Sequence, residues 1–247
     1  TISTCITSLT VNDLSDGADA TPGNGVCETA TGNGVCTLRA ALQEANALTT
    51  CAPFTISFSA ITNDNQITLF SPLPVIARTN LTITGNGITT TIISGNNQYR
   101  VLQIASGNYN VTISDVMLRF GYFKAADTTA VSGTNTAPSA KGGGLYSQST
   151  GTVNLTNCLI TQNRVVGGNA TGGTVVVGGN GQGGGAYFAG GTVNLTNSQI
   201  AGNTAFGGRG STAEGVGQGA GIFNETGVLT LTGSVIAGNY ADGVAGG

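Results

Sequence analysis

Gly151-Thr-Val-Asn-Leu-Thr-Asn-Cys-Leu-Ile-Thr-Gln-Asn163 returns as Gly191-Thr-Val-Asn-Leu-Thr-Asn-Ser-Gln-Ile-Ala-Gly-Asn203, and again as Gly227-Val-Leu-Thr-Leu-Thr-Gly-Ser-Val-Ile-Ala-Gly-Asn239. The copies begin 40 and 36 residues apart. A glycine cluster and an aromatic precede each: Gly142-Gly-Gly-Leu-Tyr146, Gly183-Gly-Gly-Ala-Tyr187 and Gly219-Ala-Gly-Ile-Phe223. Fainter copies lie at Val111-Thr-Ile-Ser-Asp-Val-Met-Leu118 and Leu81-Thr-Ile-Thr84. A fixed period of this size is the mark of a stacked repeat architecture.

Each copy alternates with period two. Val153 and Leu155 point one way, while Thr152, Asn154 and Thr156 point the other. Ile160, Ile200 and Ile236 mark a second short strand, and the aromatic after the glycines a third. Tight Gly, Asn and Ser turns separate them. The pattern predicts an all-β, right-handed parallel β-helix of three strands per coil and about 4–6 coils. One such coil cannot bury its apolar edge alone, so Ile160, Ile200 and Ile236 are expected to pile into one core column. Asn163, Asn203 and Asn239 are expected to form a structural ladder at a turn, in left-handed backbone. These residues read as scaffold and not as ligands.

A minimal coil is shorter than the repeat. The excess falls at 121–141, 164–182 and 204–218, predicted as loop insertions on one face of a β-helix spanning 54–247. Val165, Val166, Val175, Val176 and Val177 make these loops too apolar for free solvation. They form an interface, or they fold back over their own coil. The sequence leaves both open.

Residues 1–53 differ. Leu38, Ala41, Leu42, Ala45 and Leu48 form one helical stripe, predicting a helix over about 37–48. A solenoid needs a terminal cap, and this helix suits that task. Phe54, Ile56 and Phe58 then alternate as the first strand of the stack.

The runs Asp16-Gly-Ala-Asp-Ala-Thr-Pro-Gly-Asn-Gly-Val-Cys27 and Gly34-Val-Cys-Thr-Leu-Arg-Ala-Ala-Leu-Gln-Glu-Ala-Asn46 resemble the N-terminal motif of bacterial extracellular β-helix proteins typified by Cys-Ser-Leu-Arg-Glu-Ala. The Gly-Gly-Gly-Leu-Tyr and Ile-Ala-Gly-Asn repeats are similar to those of polymorphic outer-membrane-type surface proteins. The resemblance implies export, a right-handed parallel β-helix, an extracellular or cell-surface role and no catalytic residues. Thr37-Leu-Arg-Ala-Ala departs from the motif. The family's anchoring domain is not among these residues, which leaves attachment to a wall or membrane open.

Four of the five cysteines fall in the first 51 residues, as in an oxidised, stapled cap. Four cysteines allow three pairings; Cys27–Cys36 and Cys5–Cys51 are the pairings expected. Cys158 aligns with Ser198 and Ser234 and reads as a small inward residue.

Composition narrows the chemistry. The chain has 247 residues, 41 of them Gly, and only 8% are charged. With 8 Lys and Arg and a net charge of −3 it offers no basic patch for nucleic acid. It has no His, so no Ser-His or Cys-His pair and no His-ligated metal can form. No apolar run reaches membrane-spanning length. Polysaccharide-cleaving β-helices need clustered carboxylates. Asp115, Asp127, Glu214, Glu225 and Asp242 occupy no equivalent repeat positions. No cofactor is expected. The one candidate metal group, Asp13, Asp16 and Asp19, has no EF-hand spacing and reads as a solvated turn.

The leading expectation is an exported, non-enzymatic structural protein that associates head to tail into an extracellular filament or surface layer. The alternative is an adhesin binding a surface glycan or protein. Ice binding and polysaccharide degradation rank below these. Ice binding rests on outward residues such as Thr82/Thr84, Thr112/Ser114 and Thr230/Thr232, which would line a flat polar face.

Overall fold

The computed structural model describes residues 5–48, 52–60 and 66–244. It is an all-β parallel solenoid. The longest sheet stacks seven strands: Ser8–Val11, Phe54–Phe58, Leu81–Thr84, Val111–Ser114, Thr152–Thr156, Thr192–Thr196 and Val228–Thr232. A second sheet stacks six short strands from Gln66–Thr68 to Val235–Ala237. Two further sheets of four strands run from Leu102–Gly107 to Ile222–Asn224 and from Tyr122–Lys124 to Tyr240–Val244, giving about four complete turns.

Alternation puts the core where the sequence places it. Val153 stacks between Val111 and Val193, and Ile160 between Leu118 and Ile200. Both columns are buried and belong to one continuous apolar cluster. The turns at either end of the short strands need left-handed backbone. Asp115, Asn157, Asn197 and Gly233 supply it on one side, with φ of 57°, 52°, 48° and 60°. Phe120, Gln162, Gly202 and Gly238 supply it on the other, with φ of 51°, 56°, 66° and 61°. The left-handed residue is therefore the one before Asn163, Asn203 and Asn239, not the Asn itself. Those asparagines are freed to bond between coils.

The helix runs Leu38–Ala47, with Thr37 as N-cap accepting the Ala40 N–H at 3.0 Å. Leu38, Ala41, Leu42 and Ala45 face the core, as the stripe requires. Glu44, which the stripe places outside, is fully buried. Its carboxylate accepts the N–H groups of Gly23 and Gly25, so segment 12–36 lies over the helix as a second cover. Cys27 and Cys36 are disulfide-bonded within this cover, with Cα atoms 5.1 Å apart. The expected partner of Cys5, Cys51, lies outside the described residues. The cap also gives a strand to the stack, because Ser8–Val11 pairs in register with Phe54–Phe58. The boundary at 54 thus divides the sequence but not the sheet.

The expected loops are not excursions. Thr134–Thr136 pairs with Val175–Val177, and Thr128–Thr129 with Ala170–Thr171. Ala140–Lys141, Gly181–Gln182 and Gly217–Gln218 form a third ladder. The insertions stack on one another as a side lobe with small cores of their own.

Candidate interface: the outer face and the open end coil

The Asn column is a bonded ladder. Asn163 donates both its backbone N–H and its Nδ2 to Asn203 Oδ1, at 3.0 and 2.9 Å. Asn203 repeats this on Asn239 Oδ1 at the same distances. Each Nδ2 also reaches a carbonyl of the coil before it: Leu118, Ile160 and Ile200 for the three in turn. These carboxamides close the gaps that the turns open in the ladder of backbone bonds.

A parallel hydroxyl column runs beside it. The Cys158 N–H donates to Ser198 Oγ and the Ser198 N–H to Ser234 Oγ, both at 3.0 Å. Burial pushes the Cys158 thiol up to about 11, against the pull of backbone hydrogen bonds. A thiol so protected is an inert core residue.

The acidic residues near the N-terminus are engaged singly. Asp16 forms an ion pair with Arg39 at 2.7 Å and accepts the Phe70 N–H at 2.8 Å. Asp13 accepts the Ser15 N–H and Asp19 the Thr21 N–H, each at 2.8 Å. Each of the three turns to its own partner. Among the described residues no group of His, Cys, Asp or Glu could hold a metal ion.

Of the two readings open for the lobe valines, their burial favours folding back over their own coils. Val165, Val166 and Val176 are buried within the chain, and Val165 and Val176 fill the lobe's small cores. Only Val175 among the five is exposed, with Val177 half-buried. Arg100 ties the lobe base to the main stack. Its guanidinium lies 4.2 Å from the Phe123 ring and 4.7 Å from the Tyr146 ring. It donates to the Gly142 and Lys141 carbonyls at 2.7 and 2.8 Å. Burial lowers it to about 10.

Two surfaces remain unspent. The first is the outward side of the seven-stranded sheet. Its strands carry Ser8/Thr10, Thr55/Ser57, Thr82/Thr84, Thr112/Ser114, Asn154/Thr156, Asn194/Thr196 and Thr230/Thr232. Pairing stacks them in two ranks with no register shift. The first two pairs are not in the glycine-rich repeats, and only the shared Ser/Thr-x-Ser/Thr spacing points to them in the sequence.

The second surface is the last coil. Five of the twelve exposed large apolar side chains among the described residues lie there: Val228, Leu231, Val235, Ile236 and Tyr240. The Ile column shows the change along the axis, with exposures of 1% at Ile160, 0% at Ile200 and 43% at Ile236. Val228–Thr232, Val235–Ala237 and Tyr240–Val244 each pair with one strand and have no second partner among the described residues. No helix of the described residues is long and apolar enough to cross a membrane. The chain matches no known family model, no curated protein and no solved structure, so its functional reading stands on this geometry.

Proposed function

We propose that the chain is an exported, non-enzymatic structural protein whose solenoids join head to tail into an extracellular filament or surface layer. In this reading each unit is a right-handed β-helix with three core strands per coil, and the side lobe decorates the filament. The observation that carries it is the last described coil, where Leu231 and Ile236, at core positions of the repeat, are exposed beside strands that no further described strand pairs. Such an edge is a template for another chain unless it is covered. The opposite end offers a matching edge. Ser8 and Thr10 are exposed on the outermost strand of the same sheet, while Leu9 packs against the core. Docking Thr230 on Ser8, Leu231 on Leu9 and Thr232 on Thr10 of the next copy keeps every side chain on its own face. Phe70, 69% exposed, and Val75 follow the first strand of the second sheet and are apolar area available to a partner at this end. Contacts that repeat without closing build filaments. The Cys27–Cys36 disulfide accords with an oxidising compartment.

Sedimentation velocity and negative-stain electron microscopy across a concentration series test this. Rods that lengthen with concentration are expected, together with short monodisperse particles from Leu231→Lys and Ile236→Lys, which place a charge in the junction. Short monodisperse rods from the unaltered chain at every concentration would contradict the reading.

A further inference from the structure

The two outward ranks of the seven-stranded sheet point to a second activity that does not depend on assembly. We propose that this face binds ice, holding a layer of water in a lattice that merges with a growing crystal plane. Neighbouring strands in a sheet stand about 4.8 Å apart and alternate residues on one strand about 6.6 Å apart, so two ranks form a regular rectangular net. The rank from Thr10 to Thr232 carries a hydroxyl on all seven strands. In the other rank only Asn154 and Asn194 interrupt the hydroxyls, and they continue the ladder by bonding. Asn194 Nδ2 donates to Asn154 Oδ1 at 2.9 Å, and Asn154 Nδ2 to Thr112 Oγ1 at 3.3 Å.

Three properties suit a water lattice. A hydroxyl has one donor and two acceptor sites, so even where Ser114 bonds to Thr84 at 3.3 Å, each keeps capacity for water. The β-branched threonines are stiff about χ1, which limits the entropy lost on ordering the water they hold. The face carries no ionised group. Ice is neutral, and a fixed charge would draw water around itself and break the lattice, so the match of charge is part of the recognition. The molecule itself supplies the contrast. Outward positions of the six-stranded sheet are mixed, with Met117, Arg119, Leu159 and Gln199 among them. Hydroxyl ranks are therefore a property of one face and not the default for an outward strand position in this solenoid.

The test uses the full chain in two assays: ice recrystallisation inhibition, and microscopy of single ice crystals held just below melting. Faceted crystals and arrested recrystallisation are expected. Thr156→Tyr sets a bulky ring at the centre of the face and is expected to abolish both effects. Thr161→Tyr, on the other sheet, is expected to keep them. Circular dichroism and melting curves confirm that each variant folds, and Thr84→Val, which keeps the side-chain shape and removes one hydroxyl, serves if Thr156→Tyr does not. Round, unmodified crystals with the unaltered chain would overturn the proposal. So would full activity in a folded Thr156→Tyr or Thr84→Val. Because the face exists on the single chain, these outcomes are separate from whether filaments form.

Discussion

At the scale of the residue, the interior is held together by carboxamides as much as by methyl groups. Asn203 is fully buried and uses both ends of its side chain: the oxygen receives two bonds from Asn163, and the nitrogen gives to the Ile160 carbonyl and to Asn239. Asn203→Ala strands the Asn163 N–H and takes a bond from the Ile160 carbonyl, and a buried polar group without a partner costs about 1–3 kcal/mol. We expect Asn203→Ala to destabilise the chain by about 3 kcal/mol in denaturant titration. Asn239→Ala should cost less, because water reaches the last coil. Equal costs would show that the column is not a support. The sequence makes this column legible through simple recurrence. It misleads about the backbone, because Asn and Gly both favour left-handed turns and Gln162 does not. Gln162 takes φ of 56° because the coils on either side fix the turn, a constraint that no local pattern carries.

At the scale of the element, the main strands and the helix are legible and the lobe is not. Phe54–Phe58 and Thr152–Thr156 alternate over five residues, long enough to fix face and register. The lobe's strands are two or three residues long, and their partners lie about one repeat away in sequence. Too short to alternate, they exist because the coil before supplies the hydrogen bonds. Ser8–Val11 escapes notice for the same reason, as four residues inside an irregular cap. The lobe joins the stack through glycine backbone. The Gly208 N–H donates to the Gly179 carbonyl at 2.8 Å, and Gly179 to Gly168 at 2.9 Å. A Cβ at Gly208 would sit 1.9 Å from the Gly168 oxygen. Gly208→Ala must push backbone apart at this neck, at a cost on the order of 1–3 kcal/mol. Hydrogen exchange should then quicken in 128–141 and 170–182 while 192–200 stays protected. A uniform rise across all three would mean that lobe and stack open as one unit.

At the scale of the molecule, the solenoid is a one-dimensional object with unlike ends. At one end the helix and segment 12–36 cover the core, while Ser8–Val11 remains the outermost strand of its sheet. At the other, the last described coil presents core residues and strand edges that have no partner among the described residues. Stability in such a stack is a sum of neighbour contacts, so an exposed end coil is its least supported layer and has most to gain from a neighbour. The N-terminal cap is legible in the helical stripe, but the exposure of the last described coil is not, since repeat copies look alike whether or not something rests on them. Only the rise in exposure from Ile200 to Ile236 separates the last copy from the others.

The most direct test of the head-to-tail account is a pair of cysteines, Thr10→Cys with Thr232→Cys. Within one chain these positions lie on opposite edges of the seven-stranded sheet, six strand spacings or about 29 Å apart, far beyond disulfide reach. Across the proposed junction they are neighbours in register. Mild oxidation should give a ladder of covalent oligomers that collapses on reduction, while Ser8→Cys with Thr232→Cys should give far less. If both introduced thiols are accessible to a maleimide and oxidation still leaves only single chains, the head-to-tail junction does not form as described.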